Sequence, residues 1–223
     1  MRERRKRAWT RNDEAALRDR TRVNWLAHVF LSDANIEQRL GNLLADLVRG
    51  DARASMSAEF RVGVDRHRAI DAYTDAHAIV RRSRSRISPG HRRFSAVLVD
   101  VFYDYFLASN WDRYSATALG DFTASFYADA KSHSGTLPEQ ARITLERIIQ
   151  YDLLGAYRRI DGVEQSLRRL SVGLGQRWRR NFALDEAVTD LRAHEGELWN
   201  DFSEFFPDLQ AHMARVAAAA RAH

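Results

Sequence analysis

The chain has 223 residues, 45% of them apolar and 29% charged, a length and balance that suit one sizeable globular domain. It contains no cysteine, which excludes disulfides and thiolate metal ligands, and no apolar run reaches the roughly 18 to 20 residues that span a bilayer. The net charge of +5 comes from residues 1–22, where nine Lys/Arg face four Asp/Glu, and residues 23–223 are balanced.

Residues 1–22 read as a basic, solvated and disordered N-terminal extension. The other reading of this stretch is an arm for nucleic acid or an anionic surface. No apolar segment follows the basic start, so it is not a secretory signal and the expected compartment is the cytoplasm, without stable membrane association. Residues 23–223 are read as one all-α, multi-helix domain.

From residue 24 the pattern is helical. The spacing predicts helices over 24–32, 34–49, 57–81, 89–109, 112–132, 138–155, 158–173, 184–201 and 207–221. In "DANIEQRLGNLLADLVRG", Ile36, Leu40, Leu43, Leu44 and Leu47 recur at three and four residues, and Gly50 is a stop. "SPGHRRFSAVLVDVFYDYFLASNW" opens with Ser88 as cap and Pro89 in the first turn. Thr136 and Pro138 repeat the device. Alternating β-branched runs between hairpin turns are missing, and no period of 20 to 50 residues recurs.

The chemistry lies in polar residues set into apolar helices. In "DRHRAIDAYTDAH" four-residue steps place His67, Asp71 and Asp75 on one stripe. Asp100 and Asp104 repeat that spacing within "LVDVFYDYFL". His28 is a lone imidazole in "NWLAHVFL", and Asp46 a lone acid in "LLADLVRG". Each has a plain structural reading: His28 a satisfied core histidine, Asp46 paired with Arg49, Asp71 with Arg66 or Arg68, Asp100 with Arg92 or Arg93. Jointly those readings require several buried charges to find separate partners. A shared cation removes the repulsion between neighbouring acids in one step. Imidazole and carboxylate without sulfur suit manganese, iron, zinc or magnesium in a hydrolytic site.

Arginines flank these positions. Arg49, Arg66 and Arg68 offer forked donors for phosphate oxygens. Arg81, Arg82, Arg84 and Arg86 form a basic run, residues 158–180 add a second one, and the stretch 185–208 is acidic. The runs read either as solvated faces or as a surface for an acidic partner.

The segments "NWLAHVFLS", "GNLLADLVRG", "GVDRHRAIDAYTDAH" and "RRFSAVLVDVFYDYFLASNW", in this order, resemble the acyl carrier protein phosphodiesterase family across about residues 23–205. The family is viewed as a divergent relative of the HD-domain phosphohydrolases, which implies an HD-like helical bundle. His67 and Asp71 stand one turn apart here, where HD domains have an adjacent His-Asp pair. The family starts at a methionine directly before the "NxLAH" motif, where this chain has Val23, so residues 1–22 are expected to be an extension outside the catalytic domain.

The resemblance implies hydrolysis of the phosphodiester joining 4′-phosphopantetheine to a serine of holo-acyl carrier protein, with a divalent metal, manganese by preference (Mg2+, Fe2+ or Zn2+ as alternatives). It implies His28, His67, Asp71 and Asp100 as metal ligands, with Asp46 and Asp104 as catalytic or orienting acids. Arg49 or Arg68 would then meet the phosphoryl group, and Arg81, Arg82, Arg84 and Arg86 would receive the acidic carrier protein. The rival readings are a metal phosphohydrolase for nucleotides or other small phosphoesters, and a non-enzymatic helical nucleic-acid binder. The second leaves the acids of "LVDVFYDYFL" without a purpose, so no nucleic-acid partner is expected.

Overall fold

A computed structural model describes residues 24–221, and the extension 1–22 lies outside the described residues. Twelve α-helices and four 3-10 turns follow one another, with no strand among the described residues. The helices are α1 (Trp25–Phe30), α2 (Ile36–Leu44), α3 (Gly50–Ala54), α4 (Ala58–Ala76), α5 (Ala78–Ser85) and α6 (Ser95–Ser109). They continue with α7 (Leu119–His133), α8 (Glu139–Gln150), α9 (Leu153–Ala156), α10 (Ile160–Trp178), α11 (Val188–Ala193) and α12 (Glu195–Arg221). The all-helical expectation holds.

The boundaries differ where tertiary contacts outweigh local pattern. The helix expected over 57–81 breaks at His77, whose extended backbone (ψ 133°) separates α4 from α5. The helix expected from 89 starts at Ser95 instead, because the Ser88 hydroxyl and N–H are bonded to Asp190 Oδ2, at 3.0 and 3.3 Å, rather than capping a turn. The helix expected over 34–49 ends at Leu44, and Gly50, with φ +55°, opens α3 instead of stopping α2. At the other end α12 runs through Pro207, where a break was expected. A proline inside a helix costs about 3 kcal/mol. Phe202, Phe205, Phe206, Leu209 and Met213 are all buried on the same helix, and their burial offsets that cost.

One core cluster joins these elements. At its centre is α6, whose Val97, Leu98, Val99, Val101, Phe102, Phe106 and Leu107 are buried on all sides of the helix. It packs against α1, α5, α10 and α12. That central position is why Asp100 and Asp104 are withdrawn from solvent.

α2 and α4 approach until their backbones touch. A Cβ at Gly41 would stand 2.0 Å from the Phe60 carbonyl oxygen, and one at Gly63 would stand 2.1 Å from that of Gln38. Only glycine on both helices permits this spacing. The contact sets the height of His67 on α4 against Asn42 on α2.

Candidate metal centre

The site is assembled by three short-range devices. α1 has only six residues, and its N-cap Asn24 supplies no side-chain acceptor. The acceptor arrives from α6: Asp104 takes the N–H of Leu26 on Oδ2 and that of Ala27 on Oδ1, each at 2.9 Å. Free N–H groups and the helix dipole favour a carboxylate there, although burial, with Asp100 nearby, pushes its pKa well above the usual range. Asp104, expected as a catalytic or orienting acid, is thus placed on the main chain of α1 and outside the group of His28, His67 and Asp71. Both of its oxygens are used on the backbone of the helix that carries His28.

The second device is Asn42, buried on α2. Its Oδ1 lies 2.6 Å from His28 Nδ1, and its backbone oxygen 2.8 Å from His67 Nδ1. Its Nδ2 donates to the His28 carbonyl and to Ser32 Oγ, both at 2.8 Å. The third device is the helical turn itself, which puts Asp71 beside His67 on α4.

Three side chains converge as a result. His28 Nε2 is 3.4 Å from Asp71 Oδ1, and His67 Nε2 is 3.0 Å from Asp71 Oδ2. One ligand atom from each of His28, His67 and Asp71 lies within 4.8 Å of the other two. Both Nε2 atoms are buried, and each points at an Asp71 oxygen. Each Nδ1 faces an acceptor, so in the neutral ring Nε2 carries a lone pair, aimed at a carboxylate. Lone pairs facing a carboxylate at 3.0 to 3.4 Å repel unless positive charge lies between them. The donor set therefore fits a divalent cation.

The electrostatics agree with this geometry. Burial, aided by neighbouring His67, lowers the pKa of His28. Burial opposes a charge on His67 too, but Asp71 and then Asp46 outweigh it and raise its pKa. Burial also works against ionised Asp71, and the two imidazoles overcome it, holding the carboxyl well below its usual range.

The remaining expected residues fall around or outside this cluster. Asp46, in the turn after α2, places Oδ2 3.9 Å from His67 Nε2 and is 28% exposed, at the rim. Arg49 sits beside it, donating to the Asp46 carbonyl at 2.8 Å and standing 3.4 Å from Oδ1. Asp100 is buried on α6 but is not part of the three-residue group. Arg68 is exposed and pairs with Asp65 on its own helix, and Arg66 ties Asp33 and the Leu31 carbonyl. Asp75 leaves the stripe: the break at His77 folds α5 back so that Arg84 meets it at 2.7 Å. His77 packs on Tyr73 and Phe205 instead of joining the cluster. Trp111 and Phe122 pack against each other.

The basic run is also largely spoken for. Arg82 and Arg86 both hold the buried Asp201, Arg82 reaches Glu204, and Arg81 donates to the Ala76 carbonyl. The charge separation along the sequence is thus partly satisfied inside the molecule, α5 against α12. Asn42 was the residue sequence reading missed. Its only signal there is an amide on the apolar face of α2, between Leu40 and Leu43.

Fold and site together define the class: an all-helical protein whose α1 and α4 bring two oriented imidazoles and a carboxylate into one buried, cation-type cluster. A sequence model of the acyl carrier protein phosphodiesterase family matches residues 23–209, and the chain belongs to that family. The acyl carrier protein phosphodiesterase of Photorhabdus laumondii is 29% identical over 186 residues, covering 83% of this chain and 92% of that protein. That of Yersinia enterocolitica is 28% identical over 190 residues, 85% and 96% of the two chains. The protein of the same name from Escherichia coli O157:H7 is 30% identical over 200 residues, 87% of this chain and all of its own. No solved structure matches the chain. No helix among the described residues is long and apolar enough to cross a membrane.

Proposed function

We propose that this chain, a hydrolase by its family, cleaves the phosphodiester between 4′-phosphopantetheine and the serine of holo-acyl carrier protein, at a divalent cation held by His28, His67 and Asp71. The family and the relatives' names support the substrate. The observation that supports the cation is the convergence of two buried Nε2 atoms on the Asp71 carboxylate, at 3.4 and 3.0 Å. Manganese is the metal we assign, with magnesium, iron or zinc compatible with the same donors.

A divalent cation there would polarise the phosphoryl oxygen and bring water within reach of deprotonation near neutral pH. The rest falls to the chain. Asp46, at the rim and 3.9 Å from His67 Nε2, is placed to accept the proton of an attacking water. Arg49, side chain 39% exposed, is placed to donate to the phosphoryl oxygens through its fork. Asp104 keeps His28 in place through the backbone of α1. The buried walls around His28 keep bulk water from the far side of the cluster.

The test is the mass of the carrier protein after incubation with the purified enzyme and manganese. Loss of the phosphopantetheine mass is expected, ending on chelation and returning with manganese. Asp71→Asn should reduce turnover by several powers of ten while the helical circular dichroism stays unchanged. An unaltered carrier mass, with cleavage of nucleotide phosphodiesters instead, would replace the substrate and leave the site in place. Full turnover in Asp71→Asn would remove the site.

A further inference from the structure

We propose that Asn42 is the positioning residue of the cluster, fixing both imidazoles as the Nδ1–H tautomer through two different acceptors, its side chain for His28 and its main chain for His67. The inference deepens the cation reading and rests on it only for the binding arm of the test.

The amide orientation is settled by its neighbours. The His28 carbonyl lies 2.8 Å from Asn42 Nδ2 and cannot donate, so the NH2 group must face it. Ser32 Oγ donates to the same carbonyl at 2.9 Å, which leaves its lone pairs for the second Nδ2 hydrogen at 2.8 Å. Oδ1 is then the atom facing His28 Nδ1 at 2.6 Å, and that nitrogen must carry the proton. His67 Nδ1 faces the Asn42 backbone oxygen at 2.8 Å, also a pure acceptor, so it too carries the proton. Both Nε2 lone pairs are thereby turned toward Asp71. A hydrogen bond on the far nitrogen is how proteins select the metal-facing nitrogen of imidazole.

The two acceptors differ in what can remove them. Substitution at 42 deletes the acceptor of His28. It leaves that of His67, because the backbone of α2 is held against α4 by the contact of Gly41 with Phe60 and of Gly63 with Gln38. A residue that merely filled space would disturb both rings or neither.

The test reads ring nitrogens in metal-free, imidazole-15N-labelled protein at alkaline pH, where long-range proton–nitrogen spectra distinguish the tautomers. Both His28 and His67 should be Nδ1–H in the natural protein. In Asn42→Ala, His28 should become a mixture or the Nε2–H form while His67 keeps its tautomer. In Asn42→Asp, His28 should remain Nδ1–H with its ring proton shifted by the charged acceptor, and His67 should be unchanged. Manganese affinity, from titration followed by electron paramagnetic resonance, should fall about 10- to 100-fold in Asn42→Ala and less in Asn42→Asp, which keeps the acceptor for His28 Nδ1 but loses the donor to the His28 carbonyl. An unchanged His28 in Asn42→Ala, or equal changes in both rings, overturns the proposal. Should the alanine variant not fold, a His28 ring proton unmoved in Asn42→Asp overturns it equally. If the tautomers respond as stated but the natural protein takes up no manganese, the positioning role stands and the cation reading falls.

Discussion

The imidazoles of His28 and His67 stack, with centroids 4.4 Å apart and planes 26° from parallel. Two charged rings at that distance would repel, and burial already lowers the pKa of His28 with His67 adding to the effect. The stack therefore disfavours charge on both rings at once, and a cation bound between the three groups would compete with a proton on either Nε2.

Asp104 is expected to act on stability before chemistry. Asp104→Ala leaves the buried N–H groups of Leu26 and Ala27 without their acceptor, at about 1–3 kcal/mol for each. Urea unfolding should show that loss, with turnover falling only as far as α1 shifts His28. A variant with unchanged unfolding free energy and abolished turnover would return Asp104 to the reacting groups.

Gly63→Ala should be disruptive despite its small size. The added Cβ would meet the Gln38 carbonyl oxygen at 2.1 Å, backbone against backbone, so α2 and α4 must separate. A loss of about 1–3 kcal/mol is expected. Activity should fall with it, since His67 then leaves the Asn42 oxygen. Thermal unfolding and turnover measured on the same preparation check both effects.

Acid should weaken the clasp of α5 on α12. Asp201 is buried, and although burial alone would raise its pKa, Arg86, then Ser83 and Arg82, lower it below the usual value. A carboxyl with a depressed folded-state pKa stabilises above its unfolded value of about 3.9, and that contribution is lost as pH falls through the folded value. Asp201→Asn should therefore lower the urea midpoint at pH 7 and flatten its decline between pH 5 and 3. Parallel curves for the two proteins would show that the clasp adds nothing.

The basic run divides into two kinds of arginine. Arg82→Glu sets a negative charge against buried Asp201 and should lower the melting temperature. Among the described residues Arg81 turns its guanidinium to the Ala76 carbonyl and to no carboxylate. Arg81→Glu should keep the melting temperature, raise KM for holo-acyl carrier protein and weaken the dependence of kcat/KM on salt. Steady-state kinetics at two ionic strengths decide it, and an unchanged KM removes Arg81 from the docking face.

Much of this protein was legible in its sequence because the signals are local. A three- and four-residue apolar rhythm specifies helices wherever it occurs, and the four-residue step from His67 to Asp71 places both on one face without further help. The polar residues most out of place, His28, Asp46, Asp100 and Asp104, could be marked from their apolar neighbours alone. What each of them does could not. Asp100 and Asp104 have the same spacing and the same kind of surroundings in sequence, yet Asp104 ends on the amides of Leu26 and Ala27, 78 and 77 residues away.

Local pattern and motif order were enough for an all-helical chain, its family, and two imidazoles with at least one carboxylate among apolar neighbours. Which of them meet is a matter of helix packing. It turned Asp75 to Arg84, gave Arg82 and Arg86 to Asp201, and set Asn42 behind both rings. The reason is that periodicity fixes direction around one helix axis, whereas convergence depends on how close two axes come. Here that distance is set by two glycines with no side chain to reveal it.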